Sequence, residues 1–568
     1  MKIKVSQVGW VGLGLAHMAI ACSSDPPGQV SAQAGAGGVP SAGTGSRFGA
    51  SGGKLSSAGM AGVGSVPQPP MCRKTSDIDA PDGEFTDANC DGIDGDKAKG
   101  VFVSPNGIDT ASGAFGAPVK TIAKGIALGI AGKKDVYVCQ GEYAENLVVE
   151  GNVSLGVYGG YVCSDWKRTN QRPIVNPVAG FPLRVKNVSG ELVVDRLEFL
   201  APDAKEPSGS SIAALVTSSK RVLFQQVRLQ AGKGAPGAAG TTPAAVPTAP
   251  PQAPKGEDSL AVGVECDCAT APAACFLAPG FTFMSQSCET PEGPLQVYTG
   301  RGGDGANVKS CFLGNAAGGV GKPGLPDDGA AGQNGVPGAV GQGIGTFSEE
   351  GYIASNRGLP GGLGLPGKSG RGGTGGTSDV SFTAVGGNAD YWWVGGRGGY
   401  GGIPGCGGLG GGPGSAGGAS IGLLSRESEV NLDWSTVNTV AGGAGGDGVQ
   451  GAAGQPGGLG GPPGRCGISA AALCGATAGQ KGGDGGKGGD GGPGGGGPSL
   501  GVVAVGIAPL LTAVSFDVGR GGLGGKSVAN SVVPDALPGI SADYWPVDIR
   551  PVVNGAAGAA GMAGKGGI

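Results

Sequence analysis

The first half of the chain consists of short apolar runs separated by turn residues. Runs of this length, bounded by Gly, Pro, Asn and Asp, predict β-strands. The runs are Val101–Val103, Asp135–Cys139, Leu147–Val149 and Val153–Tyr158. A longer segment, Leu192–Phe199, alternates apolar and polar residues and predicts one half-buried strand.

One segment has a helical period instead. Val119, Ile122, Ile126 and Ile130 are three or four positions apart, which places them on one face of an α-helix. Pro118 suits the first helical turn, because that position needs no backbone N–H donor. The sequence therefore predicts a helix between the first two strands.

A repeating unit follows, made of two or three apolar runs that end in a glycine tract. Its three copies begin at Ser211, Ser420 and Ser499, and glycine-rich insertions of unequal length separate them. A solenoid tolerates such insertions because each coil contacts only its neighbours. The repeat predicts that residues 101–235 and 236–568 belong to one all-β solenoid, with the insertions leaving at its corners.

Residues 101–161 resemble the amino-terminal module of right-handed parallel β-helix proteins. In that family Gly-x-Pro-x-x-Thr-Ile leads into a helix, and a later strand ends in Gly-x-Tyr. The matching residues are Pro118, Thr121, Ile122, Gly141 and Tyr143. The resemblance implies an all-β, right-handed parallel β-helix solenoid whose amino-terminal helix caps the open end of the coil. It implies no particular activity, because β-helices include lyases, hydrolases, esterases and adhesins.

Glycine recurs at every third position in several tracts, and its abundance excludes a wide core. The chain has 127 Gly and 41 Pro among 568 residues. Three structures remain open for the tracts: a collagen triple helix, a disordered linker, or a packed bundle of extended, polyglycine-II-like segments. The regular three-residue spacing of glycine favours the bundle, because a disordered linker does not require glycine at fixed intervals. The tracts resemble those of glycine-rich bacterial surface proteins and phage tail adhesins.

The amino terminus predicts export. Residues 1–21 have the outline of a signal peptide, with a positively charged start and then an uncharged run. Ala19-Ile20-Ala21-Cys22 resembles a bacterial lipoprotein box, which implies lipidation of Cys22 and a place at the outer membrane or cell surface of a Gram-negative bacterium. Ordinary cleavage near Ala21 is the alternative. Residues 22–70, rich in Gly, Ala, Ser and Pro, would form a flexible linker.

Cysteine number supports an oxidising compartment. The chain has 13 cysteines, and 12 remain when Cys22 is set aside for lipidation. This number is even, and in an exported protein the cysteines are expected to form disulfides. Proximity in the sequence pairs Cys72 with Cys90, Cys139 with Cys163, and Cys466 with Cys474, and leaves the other six to pair among themselves. A thiolate metal site is the alternative. Its ligands would be Cys266, Cys268, Cys275 and Cys288.

Residues 71–100 form a Cys- and Asp-rich loop segment that predicts a calcium site. Side-chain oxygens at alternate positions, followed by Gly92, correspond to the opening half of a calcium loop. The candidate ligands are Asp87, Asn89, Asp91, Asp94 and Asp96. Ordinary Asp-Gly turns would produce the same pattern.

Composition and charge exclude several functions. The one histidine, His17, lies in the predicted signal peptide, which removes histidine-dependent catalysis and metal binding from the mature chain. The net charge of −4 argues against nucleic-acid binding. An aromatic group is a candidate carbohydrate contact, unless its rings cover the glycine layer. It consists of Tyr391, Trp392, Trp393 and Tyr400.

These patterns favour a non-enzymatic cell-surface lipoprotein, adhesive or structural, that is held at the membrane by its lipid anchor. Its expected partners are cell-surface polysaccharide or other surface proteins. The alternative is a carbohydrate-active β-helix enzyme, a polysaccharide lyase or hydrolase. Its site would lie between residues 135 and 230 and would need paired carboxylates, or calcium with a basic residue as proton acceptor, on adjacent coils. Asp195, Arg196 and Glu198 lie on one candidate coil and Asp433 on another, and no compact carboxylate cluster stands out.

Overall fold

The described part of the chain is predominantly β. The computed structural model describes residues 72–245, 248–258, 283–306, 324, 328–377, 395–465 and 474–550, and gives the backbone alone for three short strands within 266–267, 379–381 and 391–393. All of these residues fall in one unit, Met71–Ile568. Within them there are three parallel sheets and one α-helix, so the all-β prediction is confirmed at the level of fold class.

The helix and strands follow one another in a fixed order. The helix is α1 (Ile122–Gly132), between the first two strands. The strands are β1 (Val101–Val103), β2 (Val136–Cys139), β3 (Glu142–Tyr143), β4 (Leu147–Glu150), β5 (Leu155–Tyr161), β6 (Ile174–Val175), β7 (Leu183–Lys186), β8 (Leu192–Asp195), β9 (Glu198–Leu200), β10 (Ser211–Thr217), β11 (Val222–Gln225), β12 (Arg228–Gln230), β13 (Cys266–Asp267), β14 (Ser285–Thr290), β15 (Gly293–Tyr298), β16 (Thr346–Ser348), β17 (Gly351–Ile353), β18 (Asp379–Ser381), β19 (Tyr391–Trp393), β20 (Ser420–Arg426), β21 (Val430–Asp433), β22 (Thr436–Asn438), β23 (Ser499–Val505), β24 (Leu510–Thr512), β25 (Ser515–Asp517) and β26 (Ser541–Val547).

From β2 onward the chain visits three parallel sheets in turn. Sheet 1 has the order β1-β2-β5-β8-β11-β21-β24, sheet 2 the order β3-β6-β9-β12-β22-β25, and sheet 3 the order β4-β7-β10-β20-β23-β26. One strand from each sheet, taken in chain order, forms what we call a circuit. The smaller antiparallel elements, β13-β19-β18, β14-β15 and β16-β17, all come from the segment between β12 and β20.

The predicted repeats are stacked in register. Ser211 pairs with Ser420, Ser420 with Ser499, and Ser499 with Ser541. The three predicted starts are therefore neighbours in sheet 3. Ser541 begins a fourth copy that the sequence pattern did not indicate, because Asp543 and Pro546 interrupt its apolar run.

A left-handed residue turns the chain at two of the three corners. Between sheets 1 and 2 the φ of Arg196 is 54°, and Gln226, Trp434 and Ala513 occupy the same position in later circuits with φ of 51°, 49° and 52°. The prediction of one strand over Leu192–Phe199 is therefore wrong: Arg196 divides it into β8 and β9. Between sheets 3 and 1 the corresponding residues are Asn187, Ser218, Glu427 and Gly506, and Asp548 has the same conformation directly after β26.

The third corner, between sheets 2 and 3, is where the long insertions leave. The glycine-rich segments begin after β12, β22 and β25, and the chain re-enters at β20, β23 and β26. All three insertions therefore emerge from the same corner, and their segments lie beside one another.

Helix α1 begins later than its apolar spacing predicts. Pro118 precedes the helix, and Val119 forms an isolated parallel bridge with Val103 instead of a helical turn. Thr121 is the N-cap, and its hydroxyl accepts the Lys124 N–H at 3.2 Å. The helix packs against β1, β2, β4 and β5.

The interior is narrow and filled by columns of apolar side chains that the three sheets contribute in register. In sheet 2, for example, Phe199, Leu229 and Val437 stack in register and are all fully buried. The outer faces of sheets 1 and 3 are also covered. Ile93 and Trp166 pack over sheet 1, and Tyr352 of the β16-β17 hairpin packs over sheet 3. Among the described residues, no helix has the length and apolar character to cross a membrane.

Candidate functional site

The described glycine tracts pack side by side through backbone hydrogen bonds. The N–H groups of Gly358, Gly361 and Gly364 donate to the carbonyls of Gly414, Gly411 and Gly408 at 2.9–3.0 Å. The interval of three residues is the one that a packed arrangement of threefold segments requires, so these tracts are not separate linkers. We call this assembly the glycine bundle. It contains residues 232–241, 253–257, 300–306, 329–341, 356–377, 395–418, 441–464, 477–497, 519–525 and 536–539.

Residues 477–497 form the central segment of the bundle. Their backbone groups bond to six neighbouring segments, residues 329–341, 356–374, 395–418, 441–464, 519–525 and 536–539. From Lys481 to Gly492 the sequence is KGGDGGKGGDGG, with two glycines in each triplet. The third position carries a charged side chain, and these residues pair along the segment: Lys481 with Asp484 at 2.7 Å and Lys487 with Asp490 at 2.9 Å.

Both glycines of a central triplet are required by close backbone approach. A Cβ on Gly485 would lie 1.9 Å from the carbonyl oxygen of Cys406, and a Cβ on Gly486 would lie 1.9 Å from that of Gln333. Consecutive glycines thus face different neighbouring segments. No larger residue fits at either position without separating the backbones.

The Asp-rich segment is bound to the outside of sheet 1 by buried arginines. Arg168, whose side chain is fully buried, pairs with Asp94 at 3.0 Å and with Asp195. Arg196 pairs with the same Asp195 at 3.2 Å, and both arginines donate to the carbonyl of Asp82. Burial raises the pKa of Asp94 to about 6, because desolvation outweighs the attraction of Arg168.

The predicted calcium shell of five oxygens is not assembled. Asp87 and Asn89 accept backbone N–H groups within their own turn, and Asp91 accepts those of Ile93 and Lys97. The other two predicted ligands point elsewhere, Asp94 to Arg168 and Asp96 to Lys99. The described ranges contain no group of three or more His, Cys, Asp or Glu arranged to hold a metal ion.

The acidic residues considered for catalysis are separated or occupied. Asp195 is buried in the arginine network, and Glu198 pairs with Arg228 at 3.4 Å in sheet 2. Asp433 is the last residue of β21, which is two strands away from β8 in sheet 1. The structure does not bring these three carboxylates to one site.

Three disulfides link pairs of described cysteines. Cys72 is bonded to Cys90 and Cys139 to Cys163, the pairs that sequence proximity predicts. Cys288 is bonded to Cys406, so it is not available for the alternative thiolate metal site. Cys474 is disulfide-bonded, and Cys466 lies outside the described residues. These bonds fit an exported protein.

The predicted aromatic group is split by the structure. The Tyr400 ring is fully buried, and its hydroxyl donates to Glu257 at 2.7 Å. It therefore cannot stack on a ligand, and the prediction is wrong for this residue: the ring covers the glycine layer. Tyr391, Trp392 and Trp393 form β19, of which the structure describes the backbone alone.

Exposed aromatic rings occur instead at a hairpin that sequence reasoning missed. The β14-β15 hairpin is bound to the glycine bundle by the Cys288–Cys406 disulfide. Beside it lies a cavity of about 610 Å³, lined in part by Phe283, Tyr298 and Lys368. Single aromatic residues in Gly-rich surroundings carried no periodic signal that could have marked this site.

Several predictions fall outside the described residues. These are the signal peptide, the lipid site Cys22 and the linker to residue 70. Comparisons with protein-family models, with characterised proteins and with solved structures gave no match. The functional argument therefore depends on the geometry of this chain.

Proposed function

We propose that this chain is a non-enzymatic structural or adhesive protein of the bacterial cell surface, held at the outer membrane by lipid on Cys22. The observation that carries the proposal is the glycine bundle. Its segments are fixed by backbone hydrogen bonds on several sides, and they all emerge from one corner of the three-sheet body. Such a body presents a large, rigid surface with few reactive side chains.

The body is proposed to be a right-handed parallel β-helix with α1 as its cap. Support comes from the order in which the chain visits the three sheets, and from the in-register stacking of each circuit on the next. Helix α1 contacts β1 and β4, which are edge strands of sheets 1 and 3. A helix at this position would protect those edges from pairing with another chain.

Rigidity without a wide core is the physical property that suits this function. Each triplet of the central segment contributes backbone hydrogen bonds in several directions, and each such bond adds about 1 kcal/mol. The bundle can therefore be large although the chain has few bulky side chains. The Cys288–Cys406 disulfide, which joins two segments distant in the sequence, adds further stability, and such a bond persists in the oxidising environment outside the cell.

Localisation tests the surface assignment. Cells that express the full chain are fractionated, and intact cells are treated with a protease too large to enter them. We expect the protein in the outer-membrane fraction and its cleavage on intact cells. Cys22→Ser should release the protein from the membrane, whereas Cys72→Ser should not. Retention of Cys22→Ser in the membrane would contradict the lipid anchor.

The enzyme alternative is tested by turnover. The purified protein is incubated with acidic and neutral polysaccharides, with and without calcium, and unsaturated and reducing ends are measured. We expect no product above the blank. Turnover that disappears in Glu198→Gln or Asp433→Asn would contradict the non-enzymatic proposal.

A further inference from the structure

The cavity beside the β14-β15 hairpin has the shape and the rigidity of a binding site. Its volume is about 610 Å³, within the range of small-molecule sites. One part of its lining is the end of β15 with Gln296 and Tyr298, and another is the bundle segment at Lys368 and Ser369. The Ser369 hydroxyl donates to the Tyr298 carbonyl at 2.8 Å and joins these two parts directly.

The hairpin is fixed to the bundle by contacts of several kinds. Besides the disulfide, Gln286 donates to the Pro404 carbonyl at 2.7 Å, and Gly300 and Gly401 exchange backbone hydrogen bonds at 3.2 and 2.9 Å. The walls therefore need little reorganisation to accept a ligand, which reduces the entropic cost of binding.

The exposed groups at the cavity combine aromatic faces with polar donors. The Phe283 and Tyr298 side chains are 50% and 52% exposed, in a chain in which only 5% of residues are aromatic. The Gln296 amide is exposed at the same wall and can both donate and accept hydrogen bonds. Aromatic faces beside amide groups suit the apolar face and the hydroxyl groups of a sugar ring.

The cationic side chain of Lys368 gives the cavity a preference for negative charge. Lys368 is exposed, and it forms no ion pair with any described residue. Its backbone N–H donates to Ala330 at 2.9 Å, so the start of the side chain is fixed in the bundle. Arg301, which also lines the cavity, is paired with Asp304 at 3.0 Å and contributes less net charge.

We infer that this cavity binds an acidic polysaccharide, with a sugar ring on Tyr298 and Phe283 and a sugar carboxylate on Lys368. The inference rests on the proposed surface function and names the ligand class that this function would use. The site differs from the aromatic group predicted from the sequence, because it depends on the hairpin and on the bundle segment at Lys368.

Calorimetry with the full chain in detergent tests the inference. The probes are uronic-acid oligosaccharides and the same oligosaccharides after reduction of their carboxyl groups. Tyr298→Ala should weaken binding of both probes by about tenfold or more. Lys368→Gln should weaken binding of the acidic probe by up to about fivefold and leave the reduced probe unchanged. Matched controls at exposed positions away from the cavity, Trp434→Ala and Lys220→Gln, should change neither affinity.

The outcomes separate this inference from the surface function. If the acidic probe binds equally well to Tyr298→Ala, Lys368→Gln and the unmodified chain, the cavity is not the binding site, although the surface function stands. If neither probe binds the unmodified chain, the cavity inference is overturned. Localisation at the cell surface would still be tested by fractionation. Unchanged thermal unfolding of both variants shows that a loss of affinity is not a loss of fold.

Discussion

The substitution Gly485→Ala adds one methyl group at the centre of the glycine bundle, and we expect it to disrupt the packing there. The new Cβ would lie 1.9 Å from the Cys406 carbonyl oxygen, whereas ordinary contact begins at 3.4 Å. The two segments would have to separate by about 1.5 Å. The flanking bonds from Gly405 to Gly483 and from Gly408 to Gly486 are 2.9 Å long and would be lost at that separation.

The expected cost follows from these contacts. Two lost backbone hydrogen bonds contribute about 2 kcal/mol, and overpacking contributes roughly 1–3 kcal/mol. We therefore expect the local opening free energy of the bundle to fall by about 3–5 kcal/mol. Amide hydrogen exchange of peptides from 402–411 and 479–491 measures this quantity directly, and exchange there should accelerate by more than about a hundredfold.

Two other glycines provide graded controls. A Cβ on Gly362 would meet its nearest atom, the Val336 backbone nitrogen, at 3.1 Å, and a Cβ on Gly116 would meet nothing within 4 Å. Gly362→Ala should have a small effect and Gly116→Ala none. Equal exchange rates in Gly485→Ala and Gly116→Ala would refute the close-packing argument.

Three further predictions concern the parts that support the bundle. The pKa of Asp94 is raised from 3.8 to about 6 in the folded state, so the folded state binds the proton more tightly than the unfolded state does. The free energy of unfolding should therefore fall by on the order of 3 kcal/mol as the pH rises from about 4 to about 6. Urea unfolding across this pH range measures the decrease, and Asp94→Asn should abolish this contribution. Replacing both Cys288 and Cys406 by Ser should cost about 3 kcal/mol and speed tryptic cleavage near Arg301, and unchanged cleavage would show that the disulfide does not hold the hairpin. Ala513→Gly should raise the melting temperature slightly, since Ala513 has φ of 52° and glycine adopts this conformation without strain, while Ala504→Gly in buried β23 should lower it.

The sequence predicted those strands in which the local pattern of apolar residues matches the side chains that are buried in the folded structure. The apolar runs at β1, β2 and β4 are strands, and the copies at Ser211, Ser420 and Ser499 align in sheet 3. The turn at Arg196 was missed because a left-handed backbone at a non-glycine residue leaves no mark in an apolar pattern. That turn is visible only when Arg196 is aligned with its counterparts in later circuits.

The candidate site was harder to predict because its groups are distant in the sequence. The sequence alone suggests that Asp94 is a calcium ligand, but in the structure its carboxylate pairs with Arg168. It also suggests that Tyr400 is a surface ring, but in the structure the ring is buried in the bundle and its hydroxyl donates to Glu257. The cavity is formed between the β14-β15 hairpin and the glycine bundle, which the Cys288–Cys406 disulfide holds together. Such contacts depend on the packed structure and not on local spacing.

Residue-resolved amide hydrogen exchange along 477–497 is the most direct test of a rigid, hydrogen-bonded glycine bundle. In this segment Gly482, Gly483, Gly485 and Gly486 donate their N–H groups to neighbouring segments, whereas the N–H of Asp484 makes no hydrogen bond to a described residue. From Gly482 to Gly492 we predict slow exchange at each pair of glycines and fast exchange at Asp484 and Asp490. Lys487 should exchange slowly as well, because its backbone N–H donates to the Asn334 side-chain oxygen at 2.9 Å. Uniformly fast exchange along the segment would contradict the bundle and, with it, the proposed scaffold at the cell surface.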